Sequence, residues 1–441
     1  MELLFTEGTI LPMTAEEGAP LTFEGAVGIV GNRLELVSGD PARITAWRKA
    51  HPEAREINCR GKLLMPGLIN THCHTAMTLQ RSYADDIALM EWLNDYIWPF
   101  EAHQTAEDVK LGLKLGIVEM LLGGTTSFVD MYFYQEQMRS LVEGMGIRAQ
   151  LGATYFDNNV DEVLPTMERF LEGEKFTTED RVHYSIAAHA PYTCSRENII
   201  RGKELCRKFG LIFQIHAAET KDEERIIAEK WQMSPIQYLD SIGVLNSKTV
   251  AAHCIHVDDR DIKTLIDRGV TIAHNPESNM KISSGIAPID KMRRAGALVT
   301  IATDGVCSNN DVDQFEEMRS AIFLQKVSTG SPLALPAYEA LKMLTRNGAR
   351  AMGYADGELG VLKEGALADM IVIDMQKPHL QPVHNIVSNL VYCGKAADVD
   401  TVVIDGRIVV EHREVLGVDL PDLYAKIGAA VKRITADIRK K

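Results

Sequence analysis

The stretch LMPGLINTHCH, residues 64–74, gives the first clear sign of the fold. It is apolar almost to its end and then presents two histidines, His72 and His74, with one residue between them. A strand that is buried on both faces produces such a continuous apolar run, which is typical of a parallel sheet. Side chains two positions apart on a strand share a face, so we expect both imidazoles to point to the same side.

Seven further apolar runs of strand length follow the first, with helical periodicity between them. Eight βα units predict an α/β protein with a closed (β/α)8 TIM barrel. The longest gaps, residues 74–125 and 154–182, predict insertions beyond a single helix. The seven runs are TTSFVDM from Thr125, RAQLGAT from Arg148, VHYSIAAHA from Val182, LIFQIHAAE from Leu211, TVAAHCIHV from Thr249, VTIAHNP from Val270 and LVTIATDG from Leu298.

The two ends of the chain have a different pattern from the middle. The first residues contain short alternating strands separated by Gly or Asn, and the β-branched runs DMIVID, TVVIDG and RIVVEHREV lie near the other end. From Pro421 the tail has apolar residues at helical spacing. We therefore predict that residues 1–58 and 360–441 form a composite β-sandwich domain with a C-terminal helix, and that residues 59–359 form the barrel.

The composition is that of an ordinary globular protein of 441 residues. Lys and Arg number 47 against 61 Asp and Glu, and the net charge of −14 argues against partners such as nucleic acid or an anionic membrane. No apolar run reaches the roughly 18 residues that a membrane span needs. The first residues, MELLFTEGTILPM, do not resemble a signal peptide. Seven scattered cysteines without a CxxC pair favour a reducing, cytoplasmic location.

Several predicted strands carry a polar residue at the carboxyl end, where barrel enzymes place their chemistry. A single histidine on a strand is more often a hydrogen-bonded core residue than a ligand, but convergence at one barrel end reverses that expectation. Histidines with one carboxylate suit a borderline divalent ion such as zinc. The run VHYSIAAHA contains no Lys that would bridge two metals, so we expect one ion. The residues concerned are His72, His74, His216, His253 and Asp304.

Two other features near these strand ends have roles that the residues alone leave open. Glu219 follows His216 by three positions, the wrong parity for the same strand face, so we expect it in the following loop. A carboxylate there suits proton transfer and also suits the start of a helix, and the two roles are compatible. The aromatic segment ALMEWLNDYIWPFE, residues 88–101, is either a lid over the barrel mouth or the buried face of an insertion helix.

Together, the motifs PGLINTHCH, HAAE, HxxxxD from His253 to Asp258, and ATDG resemble the amidohydrolase superfamily, in that family's order and over nearly the whole chain. Three longer segments narrow the resemblance to the methylthioadenosine and S-adenosylhomocysteine deaminases, and more loosely to the s-triazine chlorohydrolases. These segments are ADDIALMEWLNDYIWPFE, HAPYTCS and DGVCSNNDVDQFEEMR.

The resemblance implies hydrolytic deamination of a 5′-modified adenosine, with one divalent ion, Zn²⁺, as cofactor. Glu219 would move protons between the attacking water and the purine N1, and would thereby also contact the substrate. His253 would orient the water. The implied metal ligands are His72, His74, His216 and Asp304, and the implied catalytic residues are Glu219, His253 and Asp304.

The resemblance also implies substrate contacts. Glu101 matches the acid that holds the ribose hydroxyls, and His189 matches a further contact. In these deaminases a segment like GMRAxxSR commonly supplies an Arg that binds the homocysteine carboxylate. Here GIRAQLGA places Ala153 at that position. We therefore expect neutral 5′ groups to be preferred over S-adenosylhomocysteine.

Other functions are compatible with parts of this pattern. An s-triazine chlorohydrolase uses the same activated water but needs a less effective proton-transferring group. A guanine or other nucleobase deaminase would share the metal site. A non-catalytic scaffold on the same barrel would usually have lost metal ligands. The partners expected are a small nucleoside substrate and further copies of the chain, as a dimer or tetramer.

Overall fold

The computed structural model of the chain describes residues 2–15, 20–87, 89–174, 177 and 180–440. Strands from both chain ends form one continuous mixed sheet of nine strands, which is the β module that the sequence predicts. They are β1 (Glu2–Ile10), β2 (Phe23–Val30), β3 (Arg33–Ser38), β4 (Arg55–Asn58), β5 (Lys62–Pro66), β14 (Met370–Asp374), β15 (Val399–Ile404), β16 (Arg407–Glu411) and β17 (Glu414–Val415). Their order is β17-β16-β15-β14-β5-β1-β2-β3, with β4 beside β1.

Eight parallel strands form the second sheet, and each neighbours the next in chain order. A bridge between Cys73 and Asp304, with the Asp304 N–H donating to the His72 carbonyl at 3.1 Å, joins the last strand to the first. The predicted α/β barrel is therefore confirmed. Its strands are β6 (Leu68–Cys73), β7 (Thr125–Tyr132), β8 (Arg148–Tyr155), β9 (Val182–Ala188), β10 (Ile212–Ala217), β11 (Thr249–His253), β12 (Thr271–His274) and β13 (Leu298–Ile301).

The first predicted run is divided between the two sheets. Strand β5 pairs with β1 and β14 in the terminal sheet, whereas β6 begins the barrel. Gly67 lies between them, where a Cβ atom would come within 2.1 Å of the Thr126 hydroxyl oxygen. The sequence assigned residues 62–66 to the barrel because the apolar run is continuous, and only the strand pairing shows where it changes sheets. The exact domain ranges stay a prediction.

Helices surround the barrel and fill the long connection between β6 and β7. None of the helices in the described part of the chain is both long and apolar enough to cross a membrane. Between β8 and β9 the described residues hold one helix. The helices are α1 (Pro41–Ala50), α2 (Leu89–Trp92), α3 (Trp98–Glu101), α4 (Ala106–Leu122), α5 (Arg139–Met145), α6 (Val160–Gly173), α7 (Arg196–Phe209), α8 (Lys221–Trp231), α9 (Pro235–Ser241), α10 (Asp259–Arg268), α11 (Pro276–Lys281), α12 (Ile289–Arg294), α13 (Gln314–Thr329), α14 (Ala337–Leu344), α15 (Arg346–Ala351), α16 (Ile386–Cys393) and α17 (Leu420–Ile438).

Two contacts tie the terminal segments to the barrel. Arg148, the first residue of β8, is buried and donates to Asp369 at 2.6 and 3.0 Å and to Asp405 at 2.8 Å. The C-terminal helix α17 packs on the insertion after β6, where Ile434 shares an apolar cluster with Phe100. Both contacts join residues far apart in the chain, which local periodicity does not reveal.

Candidate active site at the carboxyl ends of the barrel strands

Unusual backbone conformations mark the carboxyl ends of three barrel strands. Ala218 after β10, His253 at the end of β11 and Asp304 after β13 have φ angles of 53°, 72° and 64°. Residues with side chains rarely adopt this left-handed region, and each costs of order 1–3 kcal/mol unless its surroundings fix it. Such strain concentrates at functional sites, and two of these three residues are among those that the sequence selects.

Five polar side chains meet at this end of the barrel. Donor atoms of His72, His216, His253 and Asp304 all lie within 4.8 Å of one another. The Nε2 atom of His74 lies 3.1 Å from Asp304 Oδ1 and 3.3 Å from His216 Nε2. The structure therefore brings together every residue of the predicted metal set, and it adds His253 to the same cluster.

Hydrogen bonds on the far side of three imidazole rings orient them. The Nδ1 atom of His74 lies 2.6 Å from the Met131 carbonyl oxygen, and that of His216 lies 2.7 Å from the His189 carbonyl oxygen. A carbonyl oxygen only accepts, so each Nδ1 carries a proton and each Nε2 is the nitrogen that faces the cluster. This is the arrangement by which proteins fix metal-binding histidines.

Two residues of α11 support the cluster, and the sequence analysis does not identify them. Asn279 Oδ1 lies 2.9 Å from His253 Nδ1, and the Ser278 hydroxyl donates to Asp304 Oδ2 at 2.6 Å. Both belong to the HNPESN segment after β12, whose proline at the first helical turn is the only local signal. Their partners lie on other strands, so the spacing of residues does not predict these bonds.

The donor set fits a divalent metal ion. His72 Nε2 is buried without a hydrogen-bond partner in the described structure, 3.4 Å from Asp304 Oδ1. Burial lowers the pKa of His72 to about 4, and burial with the neighbouring imidazoles lowers the pKa of His216 well below its ordinary value. Metal ligands must be deprotonated, and neutral imidazoles with a carboxylate are the donors that zinc accepts.

Charge at the cluster also favours a cation. Burial acts to raise the pKa of Asp304, but the neighbouring imidazoles of His72 and His74 hold it well below its ordinary value. Burial acts to lower the pKa of His74, yet the Asp304 carboxylate raises it to about 9. Without a metal, His74 therefore holds the proton that balances Asp304, and a bound cation would displace it.

Glu219 lies in the loop between β10 and α8, where the sequence places it. Its Oε1 atom is 3.8 Å from His253 Nε2, and burial raises the pKa of the carboxyl group. The neighbouring Glu223 accepts the backbone N–H groups of Ala218 and Glu219, each at 2.9 Å. This buried acid, which the sequence analysis does not single out, fixes the loop that presents Glu219.

A cavity of about 80 Å³, here called the inner cavity, opens directly on the cluster. Glu101, His189 and Glu219 line it together with aromatic side chains. Burial raises the pKa of Glu101 to about 7. The His189 ring stacks on Phe156, with centroids 4.4 Å apart, and its Nδ1 atom lies 2.8 Å from the Thr193 hydroxyl. Every predicted substrate-contacting residue therefore borders this cavity.

The aromatic insertion serves both of the alternatives that the sequence leaves open. Trp92 and Trp98 line the inner cavity, as a lid would. Phe100 is fully buried on the opposite side, against Ile434 of α17. The segment thus covers the cavity with one face and packs into the core with the other. Ala88, its first residue, lies outside the described residues.

A parallel barrel with clustered histidines and an aspartate at the carboxyl ends of its strands defines the class of metal-dependent barrel hydrolases. Residues 63–409 match the model of the amidohydrolase family. The chain belongs to this family, and the resemblance inferred from the motifs is confirmed.

Relatives and solved structures agree with this assignment. The chain is 43% identical to a 5-methylthioadenosine/S-adenosylhomocysteine deaminase of Pelotomaculum thermopropionicum, over 92% of this chain and 95% of the relative. It is 43% identical to a 5′-deoxyadenosine deaminase of Methanosarcina acetivorans, over 86% and 88%. A zinc-bound adenosine deaminase from Xanthomonas campestris superimposes with a TM-score of 0.91 at 31% identity, covering 98% of both chains. An atrazine chlorohydrolase from Arthrobacter aurescens, at 20% identity and a TM-score of 0.88, shares the fold.

Proposed function

We propose that this protein is a zinc-dependent deaminase of adenosines modified at the 5′ position. In this reaction water adds to C6 of the purine, the bond from C6 to the amino nitrogen breaks, and ammonia leaves with the inosine analogue as product. The observation that carries the proposal is the position of Glu219, which borders both the donor cluster and the aromatic-lined inner cavity. Deaminases of 5′-modified adenosines among the relatives support the substrate class.

We assign one zinc ion to His72, His74, His216 and Asp304. The distances of 3.1 Å from His74 Nε2 to Asp304 Oδ1 and 3.9 Å from His253 Nε2 to Asp304 Oδ2 place His74 closer to the shared carboxylate. His253 instead stands between Asp304 and Glu219, which suits a group that orients water. When bound, such an ion lowers the pKa of water toward roughly 7 and so makes hydroxide available.

Glu219 is the proposed proton carrier. It takes a proton from the attacking water and delivers it to N1 of the purine. A general acid–base group works best when its pKa lies near the operating pH, and burial moves the pKa of Glu219 upward, in that direction. His253, held by Asn279, is placed to donate a hydrogen bond to the water or to the charge that develops on it.

Glu101 and His189 are the proposed substrate contacts. A carboxylate accepts two hydroxyl hydrogen bonds, which suits the ribose diol. Glu101 ends α3 and lines the inner cavity. His189 lines the same cavity beside Phe156. The purine would then lie between the aromatic walls, with its amino group toward the donor cluster.

The alternative functions differ in what they require of these residues. Dechlorination of an s-triazine needs no proton delivery to a ring nitrogen of a purine, whereas Glu219 and His253 are both present and face the cluster. A non-catalytic scaffold has no use for a full set of converging metal ligands. Assembly as a homo-oligomer and a cytoplasmic location stay predictions.

The test is Glu219→Gln, with turnover followed by the loss of adenine absorbance. Adenosine, 5′-deoxyadenosine, methylthioadenosine and S-adenosylhomocysteine form the substrate panel. We expect the variant to keep its metal and to lose about 10²–10⁴-fold in kcat, because the proton carrier is removed. Glu224→Gln, an exposed acid in the first turn of α8, is the matched control and should behave as the parent. Near-normal turnover by Glu219→Gln at full metal content would exclude this role.

A further inference from the structure

A second cavity opens beside the inner cavity. This outer chamber has a volume of about 510 Å³ and shares Trp98, Glu101, Tyr132, Phe133, Thr154 and Phe156 with the inner cavity. Ala153 of β8 lines the outer chamber but not the inner cavity. The two spaces are therefore adjacent, and these shared side chains stand between them.

The shared side chains stand where the ribose of a bound nucleoside would end and its 5′ substituent would begin. Phe156 stacks on His189 and borders both spaces, and Glu101 does the same from the insertion. A ribose held by Glu101 therefore stands at the junction. With the purine beside Glu219, the 5′ carbon faces away from the donor cluster and toward the outer chamber.

The wall of the outer chamber is acidic. Glu136 and Glu162 contribute carboxylates, and Asn158 and Asn159 contribute amides. None of the described lining residues is Lys, Arg or His. Arg169 donates to the hydroxyl of the lining residue Thr166 at 3.2 Å but does not itself line the space.

Helix α6 begins at this wall, and its positive end would by itself attract an anion. Two acids, Asp161 and Glu162, stand in its first turn and offset that partial charge. Both are exposed at the helix start, and only Glu162 borders the chamber. The local field at the chamber is therefore set by carboxylates rather than by the helix.

We propose that the outer chamber binds the 5′ substituent and selects arms that are uncharged or carry an amine over arms that end in a carboxylate. The inference rests on the proposed deamination of adenosines. An amine on the arm gains from Glu136 and Glu162, whereas a carboxylate meets like charges and is removed from water without a partner. A cavity of this size also accepts arms much longer than a methylthio group.

The experiment compares three 5′-thioadenosines with arms of equal length that end in a methyl group, an amine or a carboxylate. We expect kcat/KM for the amine to exceed that for the carboxylate by about tenfold or more, since like-charge contacts are costly at partly buried sites. The methyl compound should also exceed the carboxylate. High salt should reduce the advantage of the amine, because salt screens exposed charges. Equal or better use of the carboxylate arm overturns the proposal.

Paired variants test whether the acids cause the selection. The double variant Glu136→Gln with Glu162→Gln should lower the ratio of amine to carboxylate use. The control is Glu168→Gln, which changes a partly exposed acid on the same helix that pairs with Lys208 at 2.8 Å and lies outside the chamber wall. Glu168→Gln should keep the parent's ratio of amine to carboxylate use. An unchanged ratio in the double variant means that the selection, if any, arises elsewhere and the assignment is wrong.

Failure of this inference can be told from failure of the proposed function. If methylthioadenosine is deaminated but the three arms are used equally, only the chamber assignment fails. If no adenosine is deaminated, the proposed function fails, and calorimetric binding of the same three compounds still ranks them. An affinity order with the carboxylate arm first or equal overturns the inference without reference to turnover.

Discussion

The two ends of the barrel hold their buried ionisable groups in different ways. At the amino end, Arg148 has 1% of its side chain exposed and is paired with Asp369 and Asp405. At the carboxyl end, His72 Nε2 is buried without a hydrogen-bond partner in the described structure, and Asp304 has a left-handed backbone. Unpaired buried polar groups are costly, so the contrast separates an end that holds the domains together from an end built to receive a ligand.

Removing a donor from the carboxyl end should have the largest effect on function. We expect His216→Ala to lose its metal and to fall to background turnover, because loss of one ligand destroys such a site. Metal content by mass spectrometry and turnover of methylthioadenosine measure both effects. His183→Ala, at the opposite end of the neighbouring strand β9, is the control and should keep the metal. Full metal content in His216→Ala would contradict the ligand assignment.

Removing the buried ion pair at the amino end should lower the stability of the protein rather than its turnover. Arg148→Met leaves Asp369 and Asp405 without their buried cation, which should lower the free energy of unfolding by about 3–5 kcal/mol. The metal content and kcat of the folded protein should stay close to the parent. Arg60→Met is the control, because its pair with Glu7 is at the surface, with 78% of the Arg60 side chain exposed, and should cost at most about 1 kcal/mol. If Arg148→Met and Arg60→Met lower the free energy of unfolding in denaturant by the same amount, the buried pair does not contribute more than the surface pair.

The smallest effect expected is a gain in stability at the carboxyl end. Burial raises the pKa of Glu101 from its ordinary value of 4.5 to about 7. The unfolded chain therefore loses this proton at lower pH than the folded chain, so the group costs stability increasingly as pH rises from about 4.5 to about 7. Glu101→Gln should melt above the parent at pH 8 and together with it near pH 4, while losing discrimination against 2′- and 3′-deoxy substrates. A lower melting temperature at pH 8 would contradict this account.

Sequence patterns predict the parts of the molecule that depend on local periodicity. The eight strands, the convergence of His72 and His74, and the loop position of Glu219 follow from continuous apolar runs and from alternation along a strand. The change of sheet at Gly67 does not, since β5 and β6 lie in one apolar run and differ only in their partners.

The supporting residues of the site are also outside the reach of local patterns. Ser278 and Asn279 act on Asp304 and His253 across the barrel mouth. The sequence does predict His253 at this end of the barrel, but apolar spacing does not encode its left-handed backbone. In the sequence, only the family resemblance at Ala153 points to the outer chamber. The acidic wall of the chamber is not predictable, because its residues come together only in the folded structure.

The position of helix α17 has a consequence for how the protein is made. Its residue Ile434 packs on Phe100, next to Glu101, and Arg433 pairs with Asp108. Protein chains fold from the N-terminus as they leave the ribosome. The barrel strands therefore emerge before the helix that supports one wall of their pocket. The side of the pocket that carries Glu101 thus gains the support of α17 only after all eight barrel strands have been made.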